Sequence, residues 1–92
     1  MTTETLFSLG QIVMTPGIEA LDLGLDYINA TLARHHGGDW GDLSGADWCE
    51  NDLSVEKDLR LLSSYHTHDG TKFWILTEAD RSVTTVLLPE EY

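Results

Sequence analysis

The spacing of apolar positions changes character along the chain. Ile18, Leu21, Leu25, Ile28 and Leu32 recur at alternating intervals of three and four, the stripe of an amphipathic helix predicted over about residues 16–34. Thr15 can cap its start, and Pro16 in the first helical position gives up no hydrogen bond that a helix needs. Glu19 and Asp22 fall in the early turns, near the positive end of the helix dipole, and Gly37-Gly38 stops the pattern. Ahead of it, Gln11–Met14 is a brief β-prone run, and residues 1–10 form a polar lead-in whose Leu6, Phe7 and Leu9 can pack as a short edge. Residues 37–45 read as a loop because four of the nine are glycine. Ser44 can cap a second helix over about 46–57. Its Trp48, Cys49, Leu53 and Val55 are too scattered for one stripe, so it is expected to lie loosely on the surface.

From Leu61 onward the residues favour strands. Leu61–His68 and Thr71–Thr77 flank Asp69-Gly70, and a two-residue Asp-Gly loop predicts a hairpin that pairs Tyr65 with Trp74 and His66 with Phe73. Glu78–Ser82 forms a second turn, with Arg81 expected to pair with Asp80 or Glu78, and Val83–Leu88 is a third run ended by Pro89. The predicted architecture is a single α+β domain over residues 1–92. It has a short N-terminal strand, two helices and a three-stranded antiparallel meander, with the helices packed on one face. Alternation sends Phe73 and Ile75 to one face of the meander and Trp74 and Leu76 to the other. Both faces then carry large apolar residues. Either the lead-in covers the second face, or that face is an interface for a homodimer or a target.

Composition narrows the function. Ninety-two residues suit one domain, and a hydrophobic content of 41% is enough for a core. No run of 18 apolar residues is present, and Met-Thr-Thr-Glu-Thr lacks the basic start of a signal peptide. The single cysteine, Cys49, excludes an internal disulfide and a cysteine-only zinc site. A net charge of −11 argues against direct contact with nucleic acid or anionic lipid, because phosphate recognition needs cations.

That charge is concentrated. Asp39, Asp42, Asp47, Glu50, Asp52, Glu56 and Asp58 are seven of the twenty residues from 39 to 58, with Lys57 the one base among them. On a helix, Asp47, Glu50 and Asp58 lie within about 80° of one another, and Asp52 and Glu56 form a second row. Neighbouring carboxylates on such rows sit about 5–6 Å apart, a spacing comparable to that of phosphates along one DNA strand. An acidic face of this kind can occupy a basic groove built for a nucleic-acid backbone, and electrostatic steering would speed the encounter. It can equally serve solubility alone, as acidic surfaces commonly do.

Other constellations are weaker. His66 and His68 point to one face of a strand and, with Asp69, could hold a metal, but no third ligand has motif-like spacing and no metal is expected. His35 and His36 close the first helix, where positive charge is favourable. Cys49, between Trp48 and Glu50, is expected to be an inert packed thiol. No catalytic or phosphate-binding motif occurs, so neither an enzyme nor a cofactor is expected. Trp40, flanked by Gly38, Asp39, Gly41 and Asp42, is either a lid over the core or an exposed anchor for a partner.

The blocks Gln11–Gly17, Gly38-Asp-Trp-Gly-Asp-Leu43 and Lys72–Tyr92 resemble a family of small bacterial proteins carried on plasmids and other mobile elements. The resemblance covers roughly residues 10–92, and the Gly-Asp-Trp-Gly and Thr-Glu-Ala-Asp-Arg-Ser segments are its most distinctive parts. It supplies no catalytic residue. Short acidic proteins of mobile elements include anti-CRISPR and anti-restriction inhibitors that mimic DNA, and this chain is similar to those in size and charge. The resemblance implies a type I anti-CRISPR, acting in the bacterial cytoplasm on the DNA-binding groove of a Cascade-type complex. The expected contact residues are Asp39, Trp40, Asp42, Asp47, Glu50, Asp52, Glu56 and Asp58, and a monomer is favoured. The alternative is a plasmid-borne accessory or antitoxin-like module, with no nucleic-acid mimicry, that binds a protein through the face bearing Trp74 and Leu76.

Overall fold

The computed structural model describes residues 6–92. The element order is β1 (Gln11–Met14), α1 (Pro16–Leu21), α2 (Leu25–His36), α3 (Gly45–Lys57), β2 (Leu61–His66), β3 (Lys72–Thr77), β4 (Val83–Leu87) and a 3₁₀ turn at Pro89–Glu91. The α+β class stands. The sheet, however, has four strands in the order β1-β4-β3-β2, because β1 joins the antiparallel meander by pairing in parallel with β4.

The predicted first helix is two helices. Asp22 closes α1 in the left-handed region (φ 52°), and Gly24 precedes α2 at φ 87°, a conformation that costs glycine little. The chain turns there, so Leu25 is 70% exposed instead of lying in the stripe. The face that α2 buries is Ile28, Thr31, Leu32 and His35. With Ile18 of α1, Ile28 and Leu32 pack on Tyr65, Phe73, Ile75 and Val86, which make up the core on the inner face of the sheet.

The hairpin pairs Tyr65 with Phe73 and His66 with Lys72, one residue away from the predicted register. Its loop is longer than two residues. The Thr67 amide donates to the Thr71 carbonyl, the Thr71 amide donates to the side chains of Thr67 and Asp69, and the Thr67 hydroxyl donates to Asp69. These local bonds close a five-residue turn and set a register that puts Tyr65 and Phe73 together in the core.

Helix α3 forms as its cap predicts, with the Asp47 amide donating to the Ser44 hydroxyl (3.3 Å). It does not share a face with α1 and α2. It lies along the outer edge of β2, where the Asn51 side-chain amide takes both backbone groups of Leu62: it donates to the carbonyl (2.6 Å) and accepts from the N–H (3.3 Å). The rest of that edge is covered too. The Ser64 N–H donates to the Trp40 carbonyl (3.1 Å), the Asp42 N–H to the Ser64 carbonyl (2.7 Å), and the Tyr27 hydroxyl to the His66 carbonyl (3.0 Å). A loop, a side chain and a hydroxyl thus take the place of a fifth strand and block edge-to-edge pairing.

The lead-in does not form a strand over residues 6–10, and of the two alternatives for the Trp74 face, cover by the lead-in does not occur over those residues. Phe7 packs instead against His35 and Trp40, and the Leu9 carbonyl accepts from Thr84 (2.7 Å). The first five residues of the predicted lead-in lie outside the described residues.

Candidate functional site

The loop before α3 carries three of the eight expected contact residues, and all three are occupied by the fold. Trp40 is fully buried, against His35 and Phe7, with its indole N–H donating to Asp52 (3.0 Å). It is the lid of the two readings, and it is not an exposed anchor. Asp39 accepts two bonds from the Arg34 guanidinium (2.8 and 3.3 Å) and one from the Gly41 amide (3.2 Å). The guanidinium holds the Asp39 carboxyl below the usual carboxylate range. Asp42 meets His66 Nδ1 at 2.6 Å. Gly41 runs so close to β2 that a Cβ there would sit 2.0 Å from the Ser64 carbonyl oxygen, and its φ is +77°. The Gly38–Leu43 block is therefore the device that seals the β2 edge.

The acids of α3 divide by helical angle. Asp52 turns to Trp40, as the indole bond requires. Asp47 and Glu50 border a groove on the outer face, and Glu56 lies on the side of the helix away from Asn51. Asp58 ends the helix in the left-handed region (φ 54°). The predicted face of Asp47, Glu50 and Asp58 survives only at Asp47 and Glu50, because the helix ends one residue short of Asp58. Among the described residues, Glu50, Glu56 and Asp58 engage no side-chain partner, whereas Asp47 also accepts from the Ser44 hydroxyl (3.1 Å).

The groove, of about 400 Å³, runs between α3 and the outer face of the sheet. Leu62, Trp74 and Leu76 form its apolar floor, and Asp47, Glu50 and Ser54 its helical wall. Tyr92 packs edge-on against Trp74, with ring centroids 5.9 Å apart. Arg60 also lines the groove, tied to Glu78 (3.2 Å) and to the Tyr92 hydroxyl (2.8 Å). The acidic helix and the apolar Trp74–Leu76 face, separate features in the sequence, are two walls of one cleft. No residue spacing announces this, since the pairing depends on where α3 docks.

The remaining candidates resolve differently. His35 is not a surface cation at a helix end. It is fully buried, with Nδ1 2.5 Å from the Ser63 hydroxyl and Nε2 2.9 Å from that of Thr77, which in turn bonds Thr84 (2.8 Å). Burial, reinforced by His36 and Arg81, pushes its pKa down to about 3, so the ring is neutral. The constellation resembles a hydroxyl–imidazole pair for catalysis, but Ser63 and His35 have no exposure through which substrate could enter.

Arg81 bonds neither Asp80 nor Glu78 through their carboxylates. Its guanidinium donates to the backbone carbonyls of Leu59 (2.6 Å), Ser54 (3.1 Å) and Glu78 (3.1 Å), tying the end of α3 to the β3–β4 turn. Cys49 is exposed, on the outward side of α3, and is not packed. His66 is engaged by Asp42, and His68 lies edge-on to Tyr27. Among the described residues no three His, Cys, Asp or Glu side chains cluster as a metal site, and no helix is long and apolar enough to cross a membrane. No protein-family model, no curated protein and no solved structure matches the chain.

Proposed function

We propose that this protein is a stoichiometric, non-catalytic inhibitor that occupies a basic, nucleic-acid-binding groove of another protein. The resemblance to mobile-element proteins points to a type I CRISPR surveillance complex in the bacterial cytoplasm as the partner, with the inhibitor competing as a DNA mimic. One observation carries the reading. Helix α3 and its cap hold Glu50, Glu56 and Asp58 in water with no side-chain partner among the described residues, on a chain of net charge −11. Like charges on one helix weaken it, so their clustering is a cost to folding that a basic partner would offset.

Asp39, Asp42 and Asp52 brace the fold, so neutralising them would mix unfolding with loss of contact. The clean variant is Glu50→Gln/Glu56→Gln/Asp58→Asn, whose last change keeps a residue tolerant of the left-handed region. The experiment is labelled double-stranded DNA binding by guide-loaded type I complexes of several subtypes, with and without the protein. Loss of DNA binding by one subtype is expected, restored by excess DNA and weakened by salt, with the triple variant at least about tenfold less potent. Unchanged DNA binding by every complex would sink the reading. The groove favours a second reading, a protein-partner module engaged through Trp74 and Leu76. That module would bind in a largely salt-insensitive way and would lose its partner in Trp74→Ala.

A further inference from the structure

We infer that the groove between α3 and the outer face of the sheet is a docking subsite for an arginine side chain of a basic protein partner. This rests on the proposed reading and deepens it by naming what the partner inserts. The chemistry of the walls selects the occupant. A purely apolar side chain would satisfy Leu62, Leu76 and Trp74 but would strip water from Asp47 and Glu50, leaving Glu50 without a partner and Asp47 with the Ser44 hydroxyl alone, which is costly. A phosphate or an acidic segment would meet those same carboxylates as like charge. An occupant with an aliphatic stem and a cationic head meets both demands: the stem lies on the leucines and the head faces the acids.

Arginine fits better than lysine. A planar guanidinium stacks on an indole and offers a fork of N–H groups to carboxylates, which an ammonium cannot do. Trp74 supplies the aromatic face, steadied edge-on by Tyr92. The cation already present, Arg60, does not fill this role, since its guanidinium is engaged by Glu78 and the Tyr92 hydroxyl. The volume of about 400 Å³ leaves room for one such side chain and part of its backbone.

The test uses hexa-arginine as probe, followed on the labelled protein by the indole N–H signals and backbone amides in two-dimensional NMR, with hexalysine in parallel. Two variants carry the same added charge. Ser54→Lys places an ammonium and its stem in the groove, and Leu53→Lys places them on the outward side of α3, where Leu53 is 50% exposed. Shifts centred on the Trp74 indole and the Leu62 and Leu76 amides are expected, with arginine binding more tightly than lysine. Ser54→Lys should weaken hexa-arginine at least tenfold more than Leu53→Lys does.

Trp74→Leu keeps an apolar floor, so it guards against a folding defect in Ser54→Lys. It should erase the preference for arginine over lysine. Shifts that follow Glu56 and Asp58 without Trp74, equal weakening by the two lysine variants, or absence of hexa-arginine binding would each overturn the subsite. Seating of hexa-arginine against Trp74, with DNA binding by every surveillance complex unaffected, would support the subsite. The same result would overturn the nuclease complex as the partner.

Discussion

At the scale of single residues, His35 bears most directly on stability. Its two nitrogens are matched to the Ser63 and Thr77 hydroxyls, and the chain continues through Thr84 to the Leu9 carbonyl, so one buried imidazole links α2, three strands and the lead-in. Its pKa, ordinarily 6.5, falls to about 3 in the folded chain because burial penalises the cation. The unfolded chain therefore binds the extra proton first. The stabilisation is complete above pH 6.5 and is lost progressively as pH falls from 6.5 toward 3. Urea unfolding should show a loss of about 2 kcal/mol between pH 7.5 and pH 5, before most carboxylates titrate. In His35→Gln the stability at pH 7.5 drops, but that limb of the pH profile flattens. A parent profile flat down to pH 5 would show that His35 is not held neutral by burial. Trp40 teaches the complementary point. Glycine and acid neighbours suggest a surface loop, yet the indole is the largest fully buried side chain, because its own backbone pairs with β2 and turns it inward.

At the scale of elements, α3 is the least self-sufficient piece. Asn51 is its one buried residue, and it acts as a section of strand, bonding Leu62 in both directions. Asn51→Ala would leave two backbone groups at the β2 edge without partners, a loss of about 2–3 kcal/mol. Hydrogen exchange should then show the Leu62 amide losing protection while Ile75, between two paired strands, keeps its own. Unchanged protection at Leu62 would mean that water or another group replaces the amide. Arg81 fastens the other end of the same helix by donating to the Ser54 and Leu59 carbonyls, and Asp52 accepts from the Trp40 indole, so the groove wall is set by a few polar anchors and not by a broad apolar contact.

At the scale of the whole molecule, sixteen acids against five lysines and arginines make self-repulsion a standing cost. Among the described residues the Arg34–Asp39 and Arg60–Glu78 ion pairs and the His66–Asp42 contact are all substantially exposed, at 39% relative exposure or more, so they add little stability for salt to remove, while salt screens the excess of like charge. Raising sodium chloride from 0.05 to 0.5 M should raise the melting temperature. Glu50→Gln/Glu56→Gln/Asp58→Asn should melt at or above the parent temperature at low salt and respond less to added salt. A melting temperature that falls with salt would mean the ion pairs outweigh the repulsion, and the acids would not be a burden that binding relieves.

The sequence by itself determined the elements whose cause is local. Ser44 and the residues after it start α3, Pro89 ends β4, strand-favouring residues make β2 to β4, and charge counting names the acidic segment. These depend on caps, turns and composition within a few residues. Tertiary structure alone decided the rest. Parallel pairing of β1 with β4 joins segments some seventy residues apart, and neutral His35 depends on burial against β2, β3, Phe7 and Trp40. The one-residue register of the hairpin was set by bonds among Thr67, Asp69 and Thr71 and by which faces the core could bury. The groove exists because Asn51 and Arg81 dock α3 beside Trp74 and Leu76. Side chains far apart in the chain acquire a shared chemistry only when packing brings them together, and no periodicity along the chain encodes that distance.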